Sequence, residues 1–326
     1  MTELRIRALA KGLATRVPGL RALACRHSGG TESARYCYSV WLRHLVMAGN
    51  AGVSTRPHRV AELGPGDSFG IGLAAMLSGA DHYLAFDAKP HARVERNLSV
   101  FAELVELFTR HAPIPDQAEF PEMFPRLESY DFPRDLLPDT RLAAALQPDR
   151  LNAIRRALSG GSASGSPIEI TYLAPWDEVA TIRRGTVDMV ISQAVLEHVE
   201  DPNATYAALG RWLCQGGIMS HSIDFQSHGL TDSWSGHWTL GDLTWQLVKG
   251  DRPYLLNRLP YSAHLAMIER FGFRLVTNRR YEAPALARQT LSPRFRSLRD
   301  EDLITASAFV QAEKVADTPE PGSPGG

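Results

Sequence analysis

Cysteine is scarce. Among 326 residues there are three, Cys25, Cys37 and Cys214. Their spacing fits neither a disulfide framework nor a metal-ligand pair. A disulfide-stapled secreted fold is excluded on that ground, and a reducing, cytoplasmic setting is expected. An excess of charge is lacking too. Lys and Arg number 35 against 36 Asp and Glu, a net of −1, so the basic balance of a nucleic-acid binder is absent. No apolar run reaches the roughly 18 residues of a membrane-spanning helix, and no cleavable secretory pattern is visible. The glycine spacing G-x-G-x-x-G of dinucleotide folds does not occur at the turn where it would be looked for.

What is present is an apolar strand, Val60–Leu63, that runs into Gly64-Pro65-Gly66-Asp67-Ser68 and then into a helix predicted over about 68–77. Glycines turn the backbone sharply and let a ligand approach closely. A helix start offers free N–H groups to a polar ligand part. Glu62 is a carboxylate at the carboxyl end of this strand, where ligands sit in open α/β sheets. A second strand, His82–Phe86, ends in Asp87, about twenty residues after the turn. An acid there can accept both ribose hydroxyls of a nucleoside. Asp67 places negative charge where a pyrophosphate would lie. The pair of observations disfavours a nicotinamide dinucleotide and favours a nucleoside with a cationic or zwitterionic tail.

Here the chain resembles the class I S-adenosylmethionine (SAM) dependent methyltransferases. Glu62-x-Gly64-x-Gly66 is similar to their first motif and Asp87 to their ribose acid, while Ser68 stands at the third glycine position. Val187–Val199, with Ser192, Gln193, Glu197 and His198, is similar to the fourth strand and following turn of the members that act on small molecules. Leu213–Ile218 is similar to the approach to their fifth strand. The likeness spans roughly residues 58–312. It implies a Rossmann-like doubly wound α/β sheet of seven strands, six parallel and a final one antiparallel. It also implies SAM as cofactor, held by Glu62, Gly64, Gly66, Ser68 and Asp87. By family order Trp176 would lie by the adenine, with Asp177 the nearest candidate for an acid there, and Ser192 and Gln193 would face the methyl donor.

The remaining chain divides accordingly. Residues 1–56 are expected to form an N-terminal helical lid or extension, 57–315 the methyltransferase domain, and 316–326 a disordered tail. The first 30 residues are basic, with Ile6, Leu9, Leu13 and Val17 near helical spacing. A helix packed on the domain with a solvated basic face is preferred to a membrane-surface helix. Tyr36, Tyr38 and His44, in the helix before the first strand, either line the pocket or belong to the core. Two insertions are expected, at about 111–166 and 224–262. The first holds Pro113, Pro115, Pro121, Pro125, Pro133, Pro138 and Pro148, so its opening is an irregular arm. An insertion of that length suits capping a pocket or pairing two copies as a homodimer.

The second insertion leaves the fifth strand through Ser220-His221-Ser222-Ile223-Asp224-Phe225-Gln226-Ser227-His228-Gly229-Leu230 and continues to Trp234-Ser235-Gly236-His237-Trp238. Three readings stand beside each other. A histidine, His221 or else His228, is a general base oriented by Asp224 and removes a proton from an acceptor hydroxyl. Alternatively His221, Asp224 and His228 hold a divalent metal. Or the polar groups anchor the loop. In a straight strand His221 and Asp224, three apart, point to opposite faces. His198, Trp234, His237 and Trp238, with Tyr38, are the candidate acceptor contacts. Arg252, Asn257 and Arg258 are either a clamp for an anionic acceptor or paired within the fold.

The phrases at 35–42, 62–68 and 220–225 resemble a bacterial methyltransferase subgroup of sugar, polysaccharide and secondary-metabolite pathways. The expected reaction is methyl transfer to a small-molecule or sugar hydroxyl by in-line attack. Carbon or nitrogen methylation, with metal assistance, is the alternative. A non-catalytic partner protein of the same fold is the reading from another class.

Overall fold

The computed structural model describes residues 4–17, 30–161, 166–176 and 182–316. Asp177, residues 162–165, Cys25 and nearly all of the expected tail lie outside the described residues. Seven strands form one sheet: β1 (Arg59–Leu63), β2 (His82–Phe86), β3 (Glu169–Leu173), β4 (Val187–Gln193), β5 (Leu213–Asp224), β6 (Phe273–Glu282) and β7 (Thr305–Lys314). Their order is β3-β2-β1-β4-β5-β7-β6. β7 runs antiparallel to both its neighbours, and the β3 to β5 ladder is parallel. This is the expected sheet. The order reverses between β1 and β4, so their carboxyl ends open a crevice there.

Period-two alternation sorts the strand residues into two apolar layers. On one face Val60, Tyr83, Ala85, Met189, Ile191 and Ile218 meet α2 (Ala34–Asn50), α3 (Gly70–Leu77) and α4 (Val94–Thr109). On the other, Ala61, Leu63, Phe86, Val190, Met219 and Val310 meet α7 (Pro202–Trp212) and α9 (Tyr261–Arg270). Helix α2 starts at Ser33, whose side chain accepts the Tyr36 N–H, as an N-cap should. α7 starts at Asp201, which accepts the Ala204 N–H, with Pro202 at its first position.

α2 corrects an expectation. It is a core layer, with Cys37, Tyr38, Trp41, Leu42 and Leu45 fully buried, and not a lid. Burial on nearly every side, Ser39, Arg43 and His44 included, ties this helix into the domain. The shorter α1 (Ile6–Ala14) packs instead on α8 (Asp242–Lys249) of the second insertion. A Cβ on Gly12 would stand 2.2 Å from the Leu247 carbonyl oxygen. The two helices meet backbone to backbone.

Both insertions are folded onto the domain. The first arm buries Ile114, Met123, Phe132 and Leu137 in the α2 layer. Buried Arg43 donates to the Pro115 carbonyl at 2.9 Å and to that of Pro125, and lies 5.1 Å over the Tyr130 ring. The arm continues into α5 (Asp139–Ala145) and α6 (Pro148–Leu158). In the second insertion Arg258 lies 4.5 Å over Trp245 and 4.6 Å over Phe295, and donates to the Leu240 carbonyl. Arg252 donates to the Val248 carbonyl, and Asn257 to those of Leu196 and Val199. These three side chains are spent inside the fold, so the anion clamp gives way to the paired reading.

Candidate active site

The glycine turn after β1 has the backbone its sequence requires. Gly64 and Gly66 have φ of +66° and +73°, the left-handed region that disfavours any Cβ. A Cβ on Gly64 would stand 2.6 Å from a Val195 methyl carbon, so the turn and the β4 tip are in direct contact. Asp87 closes the other side. Its Oδ2 accepts the Gly66 N–H at 3.3 Å and its Oδ1 the Ala88 N–H at 2.7 Å. Burial raises the Asp87 pKa; the charge of His91 and the backbone N–H groups of Lys89, Ala88 and Gly66 oppose that. A nucleoside suits these residues. There is a carboxylate at the sheet's carboxyl edge, a bare main-chain turn, and one long Gly66–Asp87 contact for ribose hydroxyls to replace.

Glu62 does not join Asp87 in presenting a carboxylate to a ligand. It is 1% exposed and points to the α3 face. Its Oε2 accepts the Tyr83 hydroxyl at 2.5 Å and the Gly72 N–H at 3.2 Å. Alternation along β1 puts it on the Val60 side, under the first turn of α3. It therefore ties β1, β2 and α3 together beneath the turn. Burial pushes its pKa up to about 8. Ser68 is likewise internal: its hydroxyl donates to the Thr31 carbonyl and accepts the Gly70 N–H. Thr31 in turn donates to the Pro65 carbonyl at 2.7 Å, so the segment before α2 is laced onto the glycine turn. Trp176 packs in an aromatic group, 5.9 Å from Phe86 and 5.6 Å from Trp212. Its backbone N–H donates to the Asp87 carbonyl, so it braces the segment that carries Asp87.

Beyond the tips of β4 and β5 lies a cavity of about 830 Å³. Gln193 and Ala194 form its floor at the β4 tip; Ser222, Asp224 and His228 form one wall. Trp234, Tyr36 and residues 119–124 of the first insertion also line it. Tyr36 meets Phe120 edge to face at 5.6 Å. The Trp234 N–H donates to the Pro284 carbonyl, which fixes the ring. Asp224 Oδ2 stands 3.3 Å from His228 Nε2, and its Oδ1 accepts the Gln226 N–H. His228 has a φ of +49°, a left-handed backbone uncommon for a side-chain-bearing residue outside functional turns.

The two histidine candidates separate here. His221 is fully buried on the opposite face of β5 from Asp224. Its Nδ1 lies 2.7 Å from the Ser192 hydroxyl, and burial pushes its pKa down to about 3. A ring there reaches no acceptor. It bridges β4 to β5, and Ser192 serves that bridge and not the methyl donor. The expected metal triad of His221, Asp224 and His228 is excluded by the same alternation. Tyr38 is core, its hydroxyl donating to the Ala112 carbonyl and its ring 4.9 Å from Phe108. His44 is buried against Ser220 at 2.6 Å. His237 and Trp238 are buried away from the cavity, Trp238 donating to the Arg258 carbonyl. Of the acceptor candidates, Trp234 lines the cavity and His198 stands beside it, its ring 5.0 Å from that of His228.

Two features escaped the sequence. One is the 119–124 wall, which no local pattern marks. The other is Glu197, in the 3₁₀ turn Leu196–His198. It is 3% exposed, and neither carboxylate oxygen has a side-chain hydrogen-bond partner. Burial raises its pKa well above the carboxylate range; the backbone N–H groups of Glu197 and Asp224 oppose this, and the charge of Asp224 adds to it. Glu197, His198 and His228 bring one ligand atom each within 4.8 Å of one another.

Comparison with known proteins gives one domain match and several distant structural likenesses. A family model for a methyltransferase domain matches residues 153–220, the stretch from α6 through β3 and β4 into β5. Among curated proteins, no sequence matches the chain significantly. Solved structures give likenesses at low identity. An S-adenosylmethionine-dependent methyltransferase from Mesorhizobium loti is 15% identical with a TM-score of 0.43, over 84% of this chain and 97% of that one. One from Methanosarcina mazei is 10% identical with a TM-score of 0.40, over 83% and 98%. Phosphoethanolamine N-methyltransferase 2 of Haemonchus contortus, in complex with SAM, is 14% identical with a TM-score of 0.41, over 85% and 53%. The domain match over residues 153–220, the strand order and the glycine turn beside Asp87 are together similar to those of class I SAM-dependent methyltransferases.

Proposed function

We propose that the chain methylates a hydroxyl of a small polyhydroxylated acceptor, such as a sugar or a sugar-like metabolite, held in the 830 Å³ cavity. The observation that carries this reading is the Asp224–His228 pair on the cavity wall, beside the β4 tip. When bound, SAM supplies a methyl group already activated for displacement. The protein's task is then to align a nucleophile and take its proton.

The residues suit those tasks. Gly64, Gly66 and Asp87 would hold the nucleoside. Gln193 and Ala194 would border both ligands, and the Ala194 N–H donates to the Ser222 carbonyl, which fixes the floor. Aromatic faces at Tyr36, Phe120 and Trp234 suit the C–H faces of a ring-shaped acceptor. Glu119, Glu122, Asp224 and Asp232 outnumber Arg5 and His228 on the lining, which disfavours a strongly anionic acceptor. The acceptor hydroxyl would lie against Asp224 and His228 and lose its proton to that pair.

The test is transfer of a labelled methyl group from SAM to fractionated small molecules of the source cell, followed by mass spectrometry of the product. Labelled, base-stable ether products lost in His228→Asn are expected. Label confined to carbon or nitrogen, or to protein, would overturn the hydroxyl reading.

A further inference from the structure

Glu197 poses a problem that the acceptor reading leaves unsolved. A buried carboxylate with no side-chain donor is costly to keep charged, and it either stays protonated or takes a cation. The fold does not arrive at this arrangement by accident of packing alone. The Asn257 side chain donates to the carbonyls on either side of the turn, at Leu196 and Val199, and the Asn257 N–H donates to the Glu197 carbonyl at 2.8 Å. Three hydrogen bonds thus hold Glu197 in place, while no side chain donates to its carboxylate oxygens. What faces it is not apolar. His198 follows directly in the turn, its ring edge to face with that of His228 at 5.0 Å, and Asp224 stands beyond, 3.3 Å from His228.

From this geometry we propose that Glu197, His198 and His228 seat a divalent cation at the rim of the acceptor cavity, a ligand set distinct from the one that β5 alone suggested. Two imidazoles and a carboxylate make a mixed N/O site suited to zinc, manganese, cobalt or ferrous ions, and unsuited to the all-oxygen preference of magnesium or calcium. Bonds near 2.1 Å put ligand atoms no more than about 4.2 Å apart. The present limit of 4.8 Å closes to that by a small rotation of the part-exposed His228. Asp224, also part-exposed, is placed to take a fourth position or to hold a bound water or acceptor oxygen.

The cation changes the division of labour in the acceptor reading, on which this chemical consequence rests. With His228 bound to metal, its positive charge makes the hydroxyl of a coordinated acceptor more acidic. The proton then passes to Asp224, and the imidazole stays a ligand. Cation binding itself does not depend on the identity of the acceptor.

The probe is Co²⁺ added to the metal-free full-length chain, followed by its visible absorption and by titration calorimetry. One Co²⁺ per chain is expected, with a saturable absorption band. Glu197→Gln and His228→Asn should each weaken binding by at least ~10-fold, since loss of a ligand costs no less than loss of an outer-shell partner. Asn tolerates the left-handed backbone at 228, so that variant keeps the loop. Circular dichroism checks the Glu197→Gln fold. His58→Asn, at an exposed site on the far edge of the sheet, should bind as the wild type does. No saturable binding, or equal loss in His58→Asn, would overturn the site. Binding that persists while no hydroxyl is methylated would instead overturn the acceptor reading and leave the cation in place.

Discussion

Glu62→Gln is the substitution that most directly tests how the cofactor turn is supported. Glu62 is fully buried, and burial is the first cause of its pKa of about 8, with the bonds from Tyr83 and Gly72 opposing it. In an unfolded chain the same carboxyl titrates near 4.3. The folded value is the higher one. The neutral form therefore stabilises the fold fully below the unfolded pKa, and this contribution is lost as pH rises through 8. Integrating between pH 6.5 and pH 9 gives a loss of about 2 kcal/mol for the wild type. Glutamine has the shape of the neutral acid and does not titrate. Its carbonyl oxygen can take the Oε2 place and accept both bonds. The gap in stability between Glu62→Gln and wild type should therefore shift by about 2 kcal/mol toward the variant across that range, or roughly 3 °C in Tm. Urea denaturation of the cofactor-free protein at pH 6.5, 7.5, 8.5 and 9 measures it. A gap that stays constant with pH would mean that Glu62 is ionised throughout and that its two donors outweigh desolvation, which would refute the reasoning.

Other expectations follow from the same structure. Asp87→Ala should weaken binding of the cofactor by more than ~10-fold in calorimetry, because a charge-assisted contact of 1.5–3 kcal/mol is lost, while Tm changes little. Gly72→Ala should yield little folded protein on expression, since its Cβ would stand 2.0 Å from the Tyr83 ring, unless that ring leaves Glu62. His221→Asn should keep methyl transfer within about tenfold of wild type, whereas loss of a true general base costs roughly 10²–10⁴; a loss of the latter size would return the base role to His221. The same variant reports on acid stability. The His221 pKa of about 3 is depressed by burial, so its contribution is present above the ordinary 6.5 and fades as pH falls. The stability advantage of wild type over His221→Asn should shrink by about 2 kcal/mol between pH 7 and pH 5, read by urea denaturation.

Much of this molecule was legible along the chain. β1, the glycine turn and Asp87 form one local unit: an apolar run, a break only glycine tolerates, and an acid at the next strand's end. Such units are written in consecutive residues, so the sheet, the turn and the class of cofactor could be read in order. The roles of individual polar side chains could not. Glu62 and Ser68 sit where a ligand contact was expected, yet each is consumed by Tyr83 and Gly72 or by Thr31. Their partners come from 10 to 37 residues away.

His221 shows the same division more sharply. Its sequence neighbourhood is that of a catalytic histidine, and one residue of strand alternation puts it on the wrong face of β5, against Ser192. His228, seven residues on, turns back to Asp224 only because the chain leaves the strand with a left-handed residue. The sequence by itself determined the sheet, the bare turn and the acid that ends β2, because backbone preference and apolar period are local properties. Tertiary structure alone decided which histidine faces the cavity, what closes it at 119–124, and that Glu197 meets His198 and His228, because those depend on which face of a strand is buried and on contacts between segments far apart in the chain.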